Sequence, residues 1–236
     1  MTILYVFPHP DDESFGPAPV MHKMLREGHN VHLLTLTKGG ATKQRHKFNY
    51  SVEEMGEVRH KEMLCVEKVL GLTSMTVLDL PDSGLKDMDP RTIENVVRHY
   101  IKQIKPEVIV SYPVHGISGF YDHLVMHAVA KRVFVELREQ VHYLKRLAFT
   151  SPTMEMANKN EHFRLKGLTE EEIDCIVEVE DQDIEATQKA LDCYTTYKET
   201  IDNSGIRDMI IHKQYFEFFD ESFSPPLSDL FERLPK

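Results

Sequence analysis

Within the first 150 residues, short apolar runs alternate with longer segments that carry a helical stripe, and this alternation narrows the fold more than any other feature. TILYVF (2–7) is a continuous run of β-formers, the pattern of a strand covered on both faces. PVMHKMLREG (19–28) puts Val20, Met21, Met24 and Leu25 on one helical face, with Gly28 placed to end the helix. NVHLLTLT (30–37) reads as a second strand, residues 53–70 as the clearest helix with Gly71 as its stop, and MTVLDLP (75–81) as a third strand. A helix over 90–105 opens with Pro90 and closes before Pro106. A strand over 107–113, a helix over 123–139 and a strand over 146–151 complete the series. Strands separated by helices imply βαβ units, hence an α/β fold with a mostly parallel sheet.

Beyond residue 150 the pattern predicts a strand near 175–180, a helix from Asp183 to about Lys198 and a short strand at 214–219. Residues 155–172, polar and Glu-rich, read as a flap or excursion. With no internal repeat, low-complexity tract or linker, residues 1–236 are expected to form a single domain.

In such a sheet, ligands gather at the carboxyl ends of the strands. Three segments then share one rim: His9 to Ser14, Thr37 to Lys47, and Pro113 to His123. FPHPDDES (7–14) is the most unusual of them, because it sets His9 and three consecutive acids at the end of a buried strand. Those charges repel one another and lose hydration unless a cation compensates. His9 and Asp12, three apart, can converge on one ion, and His123 can supply a third ligand from the other side of the rim. Zinc accepts such a nitrogen–oxygen set, and one open position is the layout of a catalytic site, where the metal lowers the pKa of a water. Another divalent ion such as Fe2+ fits the same donors. Asp11, beside Asp12 but facing elsewhere, is then free to act as general base. The competing reading makes these residues helix caps and turn formers.

The remaining composition excludes several classes. A net charge of −10 leaves no basic face for general nucleic-acid binding. Cys65, Cys175 and Cys193 lie far apart without a C-x-x-C, so no disulfide framework and no thiolate metal cluster is expected, and a reducing cytoplasm fits best. The N-terminal apolar run lacks a basic flank, so no signal peptide is expected, and no apolar run approaches a membrane span. Gly16 is the only glycine in the first βα turn, where a dinucleotide fingerprint needs three. There is no G-x-S-x-G either, which sets aside that type of serine hydrolase.

HPDDE after a short first strand resembles the signature of the PIG-L/LmbE-like family of zinc-dependent de-N-acetylases. REGHNVHLLTLTKGG, EVRHKEMLCVEKVLG with Arg59 and Glu62, LDLPDSGL, the Asp122-His123 pair and, loosely, KALDCYTTYK resemble further family segments. The resemblance implies a Rossmann-like three-layer sandwich, with His9, Asp12 and His123 as zinc ligands and Asp11 as base. It also implies that Arg59 holds an anionic or hydroxyl-rich part of the substrate; the alternative for Arg59 is an exposed helix residue paired with Glu62 or Glu57.

One departure stands out. The family's second motif reads H-P-D-H, whereas this chain has Phe120-Tyr121-Asp122-His123, and Phe120 can neither stabilise an oxyanion nor give up a proton. His115, upstream in the same loop, is the residue expected to fold back to the substrate in its place; a structural or solvent-facing role is the alternative for it and for His127. Lys38, Lys43 and Arg45 either face an anionic substrate or belong to a solvated loop. The leading expectation is a cytoplasmic zinc hydrolase that deacetylates an N-acetylated small molecule such as an amino-sugar conjugate. It needs neither nucleic acid nor membrane, and a homo-oligomer is compatible with it. The runner-up is a metal-binding relative that has lost catalysis and serves as a ligand-binding or regulatory protein.

Overall fold

In the computed structural model, which describes residues 1–234, the first strand feeds two hydrophobic cores at once. Along β1 (Thr2–Phe7), Ile3, Tyr5 and Phe7 enter one core, and Leu4 and Val6 the other, as the two-residue period of a strand requires. The chain continues through α1 (Ala18–Arg26), β2 (Asn30–Thr35), α2 (Val52–Leu70), β3 (Ser74–Val77), α3 (Pro90–Ile104), β4 (Val108–Ser111), α4 (Tyr121–Arg138) and β5 (Arg146–Ser151). It then forms α5 (Met154–Lys159), β6 (Cys175–Glu178), α6 (Asp181–Cys193), α7 (Lys198–Asn203) and, further on, β7 (Lys213–Phe218).

The strands form one sheet in the order β3-β2-β1-β4-β5-β7-β6. The first five pair in parallel, and β7 runs antiparallel to both β5 and β6. Met21 and Met24 of α1, Met63 and Val66 of α2, and Leu191 of α6 pack in one core. Ile93 and Val97 of α3 and Met126 and Val133 of α4 pack in the other. The result is a three-layer sandwich whose strand order reverses at β1. The helix after β1 goes to one face and the helix after β4 to the opposite face, so a crevice opens between the carboxyl ends of these two strands.

Helix ends follow local chemistry. Ser51 caps α2 with a reciprocal bond to Glu54, and Gly71 closes it at a φ of 72°. The strands are shorter than the apolar runs, because residues 36–37, 78–81 and 112–113 leave the sheet to build the rim. Segment 155–172 is an excursion with its own α5 and a 3-10 turn at Glu170–Glu172, tied back by a bridge between Thr153 and Leu168.

Two expectations need correction. The helix expected to reach Lys198 stops at Cys193, and a 3-10 turn (Thr195–Tyr197) redirects the chain before α7. Cys65 and Cys193, 128 residues apart in sequence, form a disulfide between α2 and the end of α6, while Cys175 is free and buried. Distance in sequence said nothing about distance in space, and the cysteine case for a reducing compartment falls with it. Among the described residues, no helix is long and apolar enough to cross a membrane.

The joint between α1 and α6 turns on Asp183, fully buried, with His22 Nδ1 at 2.7 Å, Arg26 Nη2 at 3.0 Å and the Glu180 amide at 2.9 Å. Burial works to raise its pKa, but these partners outweigh it and hold the carboxyl below the usual value of 3.8. A depressed carboxyl contributes stability above its unfolded value and loses it as pH falls through the folded one. Urea midpoints should therefore drop as pH is lowered below 3.8, and Asp183→Asn should be less stable at neutral pH with a flatter acid limb.

Candidate metal centre

The residues after β1 fold back on themselves through Asp12. Its Oδ2 accepts the His9 main-chain N–H at 2.9 Å, and its Oδ1 accepts the Tyr112 hydroxyl at 2.6 Å. Across the crevice, the first turn of α4 brings His123 Nε2 to 3.4 Å from Asp12 Oδ1, while His9 Nδ1 lies 3.7 Å from Asp12 Oδ2. Ligand atoms from His9, Asp12 and His123 all fall within 4.8 Å of one another. Donors about 2.0–2.1 Å from a tetrahedral zinc stand ~3.3 Å apart, so this set fits such an ion with little adjustment.

The histidines are oriented from behind. His123 Nδ1 bonds the Gly116 carbonyl at 2.9 Å, which leaves Nε2 as the donor towards the cluster. Gly116 sits at a φ of 60°, and a Cβ there would come within 2.8 Å of His123 Cβ, so glycine permits this approach. The Tyr112 ring stacks on His123 with centroids 4.1 Å apart, and burial holds His123 below its ordinary pKa, in the neutral form that binds metal. His9 Nε2 meets Asp122 Oδ2 at 3.2 Å and Asp82 Oδ1 at 3.4 Å. Burial opposes a charge on His9, but Asp122, Asp12 and Asp82 together raise its pKa. A proton on Nε2 shared with these acids leaves Nδ1 free on the side of Asp12.

Asp11 has a left-handed backbone (φ 84°), and its carboxylate oxygens are not among the clustered ligand atoms. Its Oδ2 accepts Arg59 Nη2 at 2.7 Å, and the same nitrogen donates to the Pro10 carbonyl at 2.9 Å. Burial pushes the Asp11 carboxyl up to about 7 against the pull of Arg59, with Asp12 and Glu13 adding to the rise. A divalent cation in the cluster would act in the opposite direction. Glu13 is fully buried, its Oε1 taking the hydroxyls of Ser14 and Tyr194 at 2.6 Å each, and burial raises its pKa too.

The expected residues meet different fates. The structure brings His9, Asp12 and His123 together, with the carboxylate of the neighbouring Asp11 on Arg59. Arg59 is not the exposed helix residue of the alternative reading: it is 2% exposed, its guanidinium lies 4.0 Å from the centre of the Tyr197 ring, and it is engaged by Asp11 and main-chain carbonyls. The alternative partners are occupied elsewhere, Glu57 by Lys38 and Glu62 by Thr195 and Thr196. His115 is half-buried in the loop before α4: its Nδ1 accepts the Ile117 amide at 3.1 Å, and its buried Nε2 has no hydrogen-bond partner among the described residues. His127 bonds the Tyr112 carbonyl at 3.0 Å and packs on Phe149. Phe120 is 63% exposed at the start of α4, its ring edge towards His123. Lys38 is paired with Glu57 and Asp79, and residues 43–47 form a 3-10 turn in which Lys43 is exposed and Arg45 half-buried.

Tyr112, Asp82 and Tyr194 were not singled out by the sequence. Tyr112 and Asp82 had one usable signal, since each follows a strand on the same rim. Tyr194 had none.

Residues 4–134, more than half of the chain, match the family model described as GlcNAc-PI de-N-acetylase (PIG-L). Among curated proteins, the chain is 32% identical over 151 residues to a 1D-myo-inositol 2-acetamido-2-deoxy-alpha-D-glucopyranoside deacetylase of Thermomonospora curvata, covering 55% of this chain and 51% of that protein. It is 28% identical over 138 residues to the N-acetylglucosaminyl-phosphatidylinositol de-N-acetylase of Bos taurus, covering 56% and 50%. The chain thus spans about half the length of the curated relatives it matches. Among solved structures, a deacetylase of teicoplanin biosynthesis superposes with a TM-score of 0.71 at 12% identity, over 94% of this chain and all of that one. The 4-carboxy-2-hydroxymuconate hydratase of Pseudomonas putida superposes at 0.67 with 13% identity, over 94% and 97%. Those two likenesses establish the fold, which carries more than one reaction.

Removing the Arg59 charge leaves Asp11 buried among acids without its partner. Arg59→Met is expected to lower the unfolding free energy of the metal-free protein by about 3 kcal/mol, measured by urea denaturation.

Proposed function

The chain belongs to the GlcNAc-PI de-N-acetylase (PIG-L) family, and from that premise we propose that it is a divalent-metal-dependent hydrolase that removes the acetyl group of an N-acetylated amino-sugar conjugate. The observation that carries this reading is the convergence of His9, Asp12 and His123 with Asp11 held beside them by Arg59. The printed activities of the two curated relatives, both deacetylases of acetamido-sugar compounds, support the substrate class.

On this reading His9 Nδ1, Asp12 and His123 Nε2 hold the cation, zinc being the ion whose preferences this donor set suits. The bound ion would polarise the acetamide carbonyl and the attacking water. Asp11 takes the proton of that water and passes it to the departing amine, so that water and amide become acetate and free amine. Phe120 stands where the family pattern has a histidine and has no proton to give, so Asp11 serves both transfers. Arg59 acts as a positioning residue that fixes the Asp11 carboxylate. Asp122 and Asp82 orient His9, and Tyr112 orients Asp12.

Elemental analysis of the purified protein should find close to one divalent ion per chain, lost in both Asp12→Ala and His123→Ala. Acetate release from a panel of N-acetylglucosaminides should fall at least 100-fold in kcat for Asp11→Asn, with the metal retained. Native protein that neither contains nor takes up zinc would sink the metal-dependent reading. Metal without acetate release from any of the panel would favour the catalytically silent relative.

A further inference from the structure

A non-glycine residue with a φ of 84° costs roughly 1–3 kcal/mol and persists only where its surroundings hold it. Asp11 is held at both ends. Arg59 grips the carboxylate, and the Tyr194 hydroxyl accepts the Asp11 main-chain N–H at 2.8 Å. The same hydroxyl donates to Glu13 Oε1 at 2.6 Å, so one buried tyrosine brackets Asp12 by its two neighbours. Tyr194 lies outside the 4–134 match and reaches Asp11, in the loop after β1, across 183 residues of sequence.

Tyr194 is itself held from α2, by three residues three apart along that helix. Arg59 stacks on Tyr197 at 4.0 Å. Glu62 Oε1 accepts the Thr196 amide at 2.7 Å and the Thr195 hydroxyl at 2.8 Å, and its Oε2 accepts the Thr196 hydroxyl at 2.9 Å. Cys65 is bonded to Cys193, the residue immediately before Tyr194. Cys65 is exposed although Cys193 is buried, so a reductant can reach the bond from the α2 side.

We propose that Tyr194 is a positioning residue for Asp11 and that the Cys65–Cys193 disulfide keeps it seated, so that reductive cleavage of this disulfide lowers turnover. The turnover half rests on the reading of Asp11 as base; the positioning half does not. In the reductive step a dithiol donates two electrons and two protons, the S–S bond breaks to give two cysteine thiols, and the donor becomes a disulfide. With the covalent link gone, only non-covalent contacts, those of Glu62 and the Arg59 stacking on Tyr197, anchor the turn from α2, and the Tyr194 hydroxyl is held less firmly against the Asp11 amide. Binding of the cation is expected to survive, because none of its ligands touches Tyr194.

The test uses the metal-loaded protein and a phosphine reductant, which becomes its oxide at the expense of water and avoids the metal chelation of a dithiol. Thiol titration in denaturant should rise from one to three per chain on reduction. Amide exchange of the peptide covering 8–16 should accelerate on reduction and in Tyr194→Phe, and return to its native rate on reoxidation. In both states kcat should fall at least about tenfold with KM within about twofold and metal content unchanged, whereas general loosening of the fold would speed exchange throughout and release metal. Cys65→Ser should show the reduced behaviour from the outset and ignore the phosphine. Unchanged exchange at 8–16 in Tyr194→Phe, or after confirmed reduction, overturns the latch. Accelerated exchange with unchanged kcat overturns its link to turnover. A native protein without acetate release overturns the hydrolase reading, while exchange still decides the latch.

Discussion

The repulsion among carboxylates at the end of β1 is the constraint to which the rest of the structure answers. Asp11, Asp12 and Glu13 are consecutive, and Asp82 and Asp122 approach His9 from the loop after β3 and the first turn of α4. Each acid has been given something different: Arg59 for Asp11, the Tyr112 hydroxyl for Asp12, the Ser14 and Tyr194 hydroxyls for Glu13. The remaining negative potential points into the crevice, where a cation bound by three ligands would meet it. The two-sided sheet matters because it lets helices on both faces send groups to a single point.

Much of this arrangement is local in sequence and could be read there. Of the five parallel strands, β1, β4 and β5 read as apolar runs because they are buried on both faces, whereas β3 at the edge of the sheet is half-buried throughout. His9, Asp11 and Asp12 are neighbours on one turn, and His123 belongs to a second compact motif, so residue type and spacing sufficed to group them. The burial of Arg59 was not legible, because a helix pattern does not reveal whether a cation looks out to solvent or in towards acids; its partner Asp11 is 48 residues away. The setting of His115 was not legible either, because a loop histidine takes its partners from tertiary contacts that spacing does not show.

The supports were illegible for the same reason. Tyr112, Asp82 and Tyr194 are ordinary polar residues until tertiary contacts of tens to nearly two hundred residues assign them a partner. The end of α6 shows how a side chain overrides periodicity. The helical stripe runs on past Cys193, yet Glu62 captures the Thr195 and Thr196 groups and the chain turns there. The disulfide belongs to the same joint, which explains why widely spaced cysteines ended up bonded.

The position of β7 bears on how the molecule is made. It is the last strand in sequence, yet it lies between β5 and β6, and β6 has no other strand partner in the sheet. During synthesis β1 to β5 can pair as they emerge, whereas β6 must wait for Lys213–Phe218 before joining the sheet. A nascent chain halted before that strand would already carry His9, Asp11, Asp12 and His123, and the helices α1 and α2 that receive α6 and Tyr194, but β6 would be left unpaired. Completion of the sheet is thus the assembly step that fastens the outer strand to a centre already built from earlier segments.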